Sequence, residues 1–137
     1  MAVKLVKPIN HKKVVKITNQ DFEAKMRELR VNSDIAVAVS GGPDSLALMH
    51  LSNRYALNNN INLTVLSIDH GIRAESSKEI VWLEKIAKKN KINFYSTKLK
   101  KKINSSNTLS KARTLRYEAL SKYCKKKKIK FLLTAHH

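Results

Sequence analysis

Five consecutive apolar residues, Ile35-Ala36-Val37-Ala38-Val39, run without a break into Ser40-Gly41-Gly42-Pro43-Asp44-Ser45. A strand with one wet face alternates apolar and polar positions, whereas a run with no polar position reads as a strand covered on both faces. Two glycines and a proline suit neither a strand nor a helix interior, so the chain turns directly behind it. Asp44 to Leu57 then sets Leu46, Leu48, Met49, Leu51 and Ala56 along a predicted helix. Strand, tight turn and helix form the first half of a crossover unit and restrict the fold to the α/β class.

The pattern recurs. Leu63 to Ile68, Ile92 to Ser96 and Ile129 to Thr134 predict three further strands, and Glu79 to Asn90 and Thr108 to Lys126 two further helices. Ahead of the first strand, Thr18 and Asp21 suit a helix start, and Phe22, Met26 and Leu29 supply its stripe. Right-handed crossovers between such strands give a Rossmann-like, doubly wound parallel sheet. The expected division is a basic N-terminal arm and helix over residues 1–33, then an α/β unit over residues 34–137. The last predicted strand is followed by three residues and no covering helix. The sheet therefore reads as incomplete at its C-terminal edge, and the chain as a fragment of a larger domain.

A chain of 137 residues suits one domain, and its single cysteine, Cys124, excludes a disulfide framework or a zinc site built on several thiolates. The apolar stretches are far too short to span a membrane, and the basic N-terminus has no apolar core behind it, so a cytoplasmic location is expected. The net charge is +18, of which +15 falls in residues 71–137. Such a field concentrates polyanions, nucleic acid above all. Twenty-two lysines alongside twelve asparagines and eleven isoleucines equally match the composition that an AT-rich genome imposes.

Ligands of doubly wound folds bind outside the carboxyl ends of the strands. Ser40 to Ser45, Asp69 to Arg73, and His136 with His137 stand there. In the first group, glycines let a ligand approach the backbone, N–H groups at the helix start face it, and Ser40 and Ser45 add hydroxyls. The chemistry is oxyanion binding, with Asp44 placed to hold a magnesium ion between itself and a phosphate. An ordinary helix cap needs one such residue, not two serines, two glycines and an aspartate. The loop matches neither the Walker pattern nor the dinucleotide fingerprint.

Arg113 and Arg116 stand three apart, beside the apolar stripe of the last helix. Flanking arginines usually snorkel to solvent; beside an anion loop an inward arginine serves as a phosphate ligand, and Arg113 ranks ahead of Arg116. His136 and His137, adjacent on a strand, point to opposite faces and do not share one ion. Lys125 to Lys128 reads as a solvated helix end, Trp82 as packing and Cys124 as structural.

Ser40-Gly41-Gly42-Pro43-Asp44-Ser45 resembles the SGGxDS pyrophosphate-binding motif of the PP-loop family, the N-type ATP pyrophosphatases. Ser67 to Arg73, Lys111 to Leu120 and Leu133 to His137 resemble, in the same order, further segments of the family's tRNA(Ile)-lysidine synthetase branch. The resemblance covers about Asp34 to His137 and stops inside the last segment. It implies an ATP- and Mg2+-using ligase that adenylates the C2 oxygen of the wobble cytidine of a CAU-anticodon tRNA(Ile), after which L-lysine displaces AMP. It implies an ATP site of Ser40, Gly41, Gly42, Pro43, Asp44, Ser45, Ser67, Asp69, His70, Arg113 and His136, with Asp44 and Arg113 in catalytic roles and Asp44 on the metal. The alternatives are a tRNA-thiolating relative, which normally uses paired cysteines, and a non-catalytic ATP- or RNA-binding fragment.

Overall fold

The computed structural model describes residues 19–40, 42–69, 75–99 and 108–135. In chain order the elements are α1 (Asn19–Glu28), β1 (Ile35–Ala38), α2 (Pro43–Asn59), β2 (Leu63–Asp69), α3 (Glu75–Lys89), β3 (Asn93–Lys98), α4 (Thr108–Lys127) and β4 (Phe131–Leu133). The four strands form one sheet in the order β3-β2-β1-β4, every pair parallel. The chain steps outward from β1 through β2 to β3, then crosses back and lays β4 on the other side of β1. The strand order thus reverses at β1, where Ile35 is in register with Leu63 on one side and Phe131 on the other.

Alternation along β1 sorts its side chains between two cores. Ile35, Val37 and Val39 face the layer formed by α1, α2 and α3, with Phe22, Met26, Met49, Leu83 and Ala87 packed against them. Ala36 lies on the opposite face with Leu66 and Leu132, under Leu120 and Cys124 of α4. The expected doubly wound architecture is the observed one. The helix of the N-terminal segment belongs to the core: Phe22 meets Tyr55 edge-to-face at 6.4 Å, and the Tyr55 hydroxyl donates to the Val31 carbonyl at 2.7 Å.

All four described helices end the same way. Arg30, Asn60, Lys91 and Lys128 adopt positive φ, between 54° and 59°. The next residue is apolar in each case, and its N–H reaches back over five positions: Val31 to Met26, Ile61 to Ala56, Ile92 to Ala87 and Ile129 to Cys124. This left-handed stop satisfies an orphan carbonyl and folds an apolar side chain back onto the last turn. Glycine is the usual occupant of the left-handed position; this chain uses cations and an asparagine instead.

Two expectations change. β3 is an edge strand, and Asn93, Tyr95, Ser96 and Lys98 along it are exposed. Trp82, read as a packing residue, is 48% exposed beside Val81. The buried line of α3 runs through Leu83 and Ala87, and one residue back along a helix rotates the side chain about 100° away from it.

Candidate functional site

The first turn of α2 carries Pro43 at its start, where the missing N–H removes no helical bond. Gly42 precedes it with φ −74° and ψ 154°, and no side chain caps this end of the helix. The loop is held from within by Ser45, which is buried. Its Oγ accepts from the Ser40 backbone N–H at 3.0 Å and lies within donating distance of the Ser40 and Gly42 carbonyls, at 3.0 and 3.2 Å. The Ser40 and Ser45 hydroxyls are 3.1 Å apart, and the Gly42 N–H donates to Ser40 Oγ at 3.3 Å. The two serines therefore have different duties. Ser45 fastens the loop across its base, while the exposed Ser40 lies on its open side. Asp44 and Pro43 are also exposed, in the first turn.

Because β1 has a neighbour on each side, the Ser40 to Ser45 loop leaves the sheet at the point where strand order reverses. Ligands of open α/β sheets bind in the crevice there. Ser67 and Asp69 are buried at the carboxyl end of β2. Gly41, His70 and His136 lie outside the described residues. A residue that the sequence reading passed over stands at the end of β4: Thr134 is 2% exposed, and its Oγ1 has no hydrogen-bond partner among the described residues. Buried polar atoms are nearly always paired, so this hydroxyl at the reversal point marks a position shaped for something other than packing. Its signal in the sequence was its place at the head of the Thr134-Ala135-His136-His137 segment.

The two arginines separate. α4 leads from the carboxyl end of β3 to the amino end of β4, so its early turns lie toward the loop end of the sheet. Arg113 is exposed, in an open trough along the helix flank with Thr114, Tyr117 and Glu118. Arg116, one turn before the core residue Leu120, is half-buried, and its Nε has no partner among the described residues. Burial, and next the Arg113 charge, draw its pKa below the ordinary guanidinium range. A cation held at such cost suits an anionic partner.

Among the described residues no group of three or more histidine, cysteine or acidic side chains is placed to hold a metal. The donor set still fits magnesium, which takes one or two carboxylates and completes its shell with phosphate and water oxygens. Asp44 supplies such a carboxylate at the helix start. No described helix is long and apolar enough to cross a membrane.

A parallel sheet with an uncapped, glycine-bearing helix start at its strand reversal defines a Rossmann-like α/β domain built to receive an anion. The chain belongs to the PP-loop family, whose domain profile matches residues 10–137. The tRNA(Ile)-lysidine synthase of Rickettsia bellii (strain OSU 85-389) is 46% identical over 105 residues, covering 77% of this chain and 24% of that protein. The enzyme of the same name from Rickettsia typhi is 39% identical over 121 residues, covering 86% and 28%. The chain thus spans about a quarter of the length of these relatives. Among solved structures, the U34-tRNA thiolase NcsA from Methanococcus maripaludis superposes with a TM-score of 0.72 at 23% identity, over 86% of this chain and 45% of that one. That likeness is one of fold.

Proposed function

We propose that the chain is the ATP-binding N-terminal part of a tRNA(Ile)-lysidine synthetase. The observation that carries this reading is the 46% identity to an enzyme of that name across the segment containing the loop. On this reading ATP lies across the reversal point. Ser40 and the N–H groups at the start of α2 hold its β- and γ-phosphates, and the C2 oxygen of the wobble cytidine attacks the α-phosphorus. The phosphoanhydride bond breaks and pyrophosphate leaves into the loop. The amino group of L-lysine then attacks C2, and AMP departs with the C2 oxygen.

The protein's part is positioning and charge neutralisation, the dominant contributions in phosphoryl-type transfer. Ser45 keeps the loop in shape, and Arg113 and Arg116 oppose the negative charge that develops on the α-phosphate. Ser67 and Asp69 flank the nucleotide at the end of β2. Asp44 and phosphate oxygens would hold a magnesium ion, which would supply further neutralisation of the leaving pyrophosphate.

Calorimetric titration tests the assignment. Wild-type protein should bind ATP more tightly with magnesium than without, and Asp44→Ala should lose that increment while keeping the metal-independent part. Identical binding curves for the two proteins in magnesium would overturn the placement of the metal and, with it, the orientation of the triphosphate.

A further inference from the structure

Among the described helices, α4 covers the second face of the sheet. Between α4 and β3 an open groove of about 570 Å³ remains, within the range of ligand-binding clefts. Tyr95 of β3 and Tyr123 of α4 meet there with ring centroids 4.3 Å apart and planes inclined by 29°, a stacked pair. Tyr95 is 39% exposed, so solvent reaches the aromatic pair. Lys98, Lys122, Lys126 and Lys127 line the groove, all are exposed, and no carboxylate lines it among the described residues. Its upper end is formed by Ser67 and Ile68, at the same end of the sheet as the loop behind β1.

Compositional bias scatters lysines over a surface; it does not gather them around a stacked aromatic pair in a concavity. The four cations call for a polyanion, and the solvent-reached aromatic pair suits a flat partner. Those two demands together describe unpaired nucleotides, whose phosphates neutralise lysines and whose bases stack on aromatic rings. A duplex keeps its bases stacked on one another and offers only phosphates. Lys122 and Lys126, one helical turn apart, are separated by about 6 Å along the axis, a spacing comparable to that of successive phosphates in a single strand.

We propose that the groove between α4 and β3 docks single-stranded RNA, with bases on the Tyr95–Tyr123 pair and phosphates on the lysine rim. The proposal rests on the reading of RNA as substrate and adds to it a second contact surface, which leads a strand up to the end of the sheet where the nucleotide site lies.

The test is fluorescence anisotropy with a labelled twelve-nucleotide single-stranded RNA, titrated with the 137-residue chain at several salt concentrations. Lys122→Ala/Lys126→Ala/Lys127→Ala should weaken binding at least tenfold at low salt. It should also flatten the slope of log affinity against log salt by about 2, since each lysine contributes roughly 0.7 on a single strand. Lys85→Ala/Lys88→Ala/Lys89→Ala, the same charge loss on the exposed side of α3, should change affinity less than threefold. Tyr95→Ala, at an exposed edge position, should weaken binding roughly fivefold or more with the slope unchanged. RNA carrying 4-thiouridine should crosslink to peptides containing Tyr95 or Tyr123.

Equal losses in the two triple variants, an unaffected Tyr95→Ala, or no binding at low salt would each overturn the proposal. ATP titration separates this failure from that of the enzyme reading. Intact, Asp44-dependent ATP binding in a protein whose groove variants bind RNA normally would remove the groove and leave the nucleotide site standing.

Discussion

Gly42 holds backbone angles that any residue adopts, and a Cβ built there would lie 3.5 Å from Ser40 Oγ, an ordinary contact. The fold tolerates a side chain at this position; what a side chain would fill is the approach to the loop. Gly42→Ala should therefore cost less than about 1 kcal/mol in denaturant unfolding yet weaken ATP binding about tenfold by calorimetry. Ser45→Ala should do the reverse in order of severity. It strips the buried partner from the Ser40 N–H, at a cost of about 1–3 kcal/mol, and loosens the loop only as a consequence.

Cys124 gives a residue-scale prediction in pH. Burial pushes its thiol from an ordinary value near 9 up to about 11, so the folded state holds the thiol proton more tightly than the unfolded chain does. The resulting stability is fully present below pH 9 and is lost as pH rises toward 11, a change of about 3 kcal/mol. Thermal melts of wild type should fall more steeply between pH 8.5 and 10.5 than melts of Cys124→Ala. The loop serines were readable from sequence because glycine and proline behind an apolar run admit few explanations. Thr134 was not, since a threonine at a strand end is also an ordinary strand former. The order of Arg113 and Arg116 depended on helical phase, which a stripe broken by polar residues fixes poorly.

At the scale of elements, each helix end stores a small conflict. Arg30, Lys91 and Lys128 occupy the left-handed region without the freedom of glycine, at about 1 kcal/mol each. Lys91→Gly and Lys128→Gly should each stabilise the protein by about 0.5–1 kcal/mol in urea unfolding, with no change in ATP affinity. Helix existence and type were legible from the apolar stripes, and the strands from their continuous runs. The helix stops were not legible as left-handed caps, because nothing in a lysine announces positive φ. The recurring clue was an isolated isoleucine or valine directly behind a polar helix end. The edge position of β3 was visible only in retrospect, in the polar residues Asn93, Ser96 and Lys98.

For the whole molecule, alternating strands and helices prescribed a parallel sheet but not its order. Whether the last strand extends beyond β3 or returns to β1 depends on which way a crossover turns over the sheet, and pairing of residues so far apart has no local signature. That return is what creates the crevice, so the sequence placed the candidate residues at the carboxyl ends of the strands without showing which strands flank one another. Residues 1–137 hold the loop, the β2 end and the α4 arginines, but about a quarter of the length of the relatives. On their own they should bind ATP without forming lysidine, because productive alignment of reactants is worth several powers of ten in rate. Incubation with ATP, magnesium, lysine and CAU-anticodon tRNA(Ile), followed by nuclease digestion and mass spectrometry, checks this. Abundant lysidine would show that these residues suffice.

The placement of β4 beside β1 also sets an order of events in time. β1 can pair with β2 as soon as the intervening helix has emerged, but its other edge must wait for Phe131 to Leu133. Closure over so long a stretch is entropically slow, and non-local strand pairing retards folding more than any other topology. Until then the strand that carries the nucleotide loop presents an open apolar edge, the kind of template on which nascent chains associate. During synthesis β4 is therefore the strand that covers the second edge of β1 and completes the crevice beside its loop.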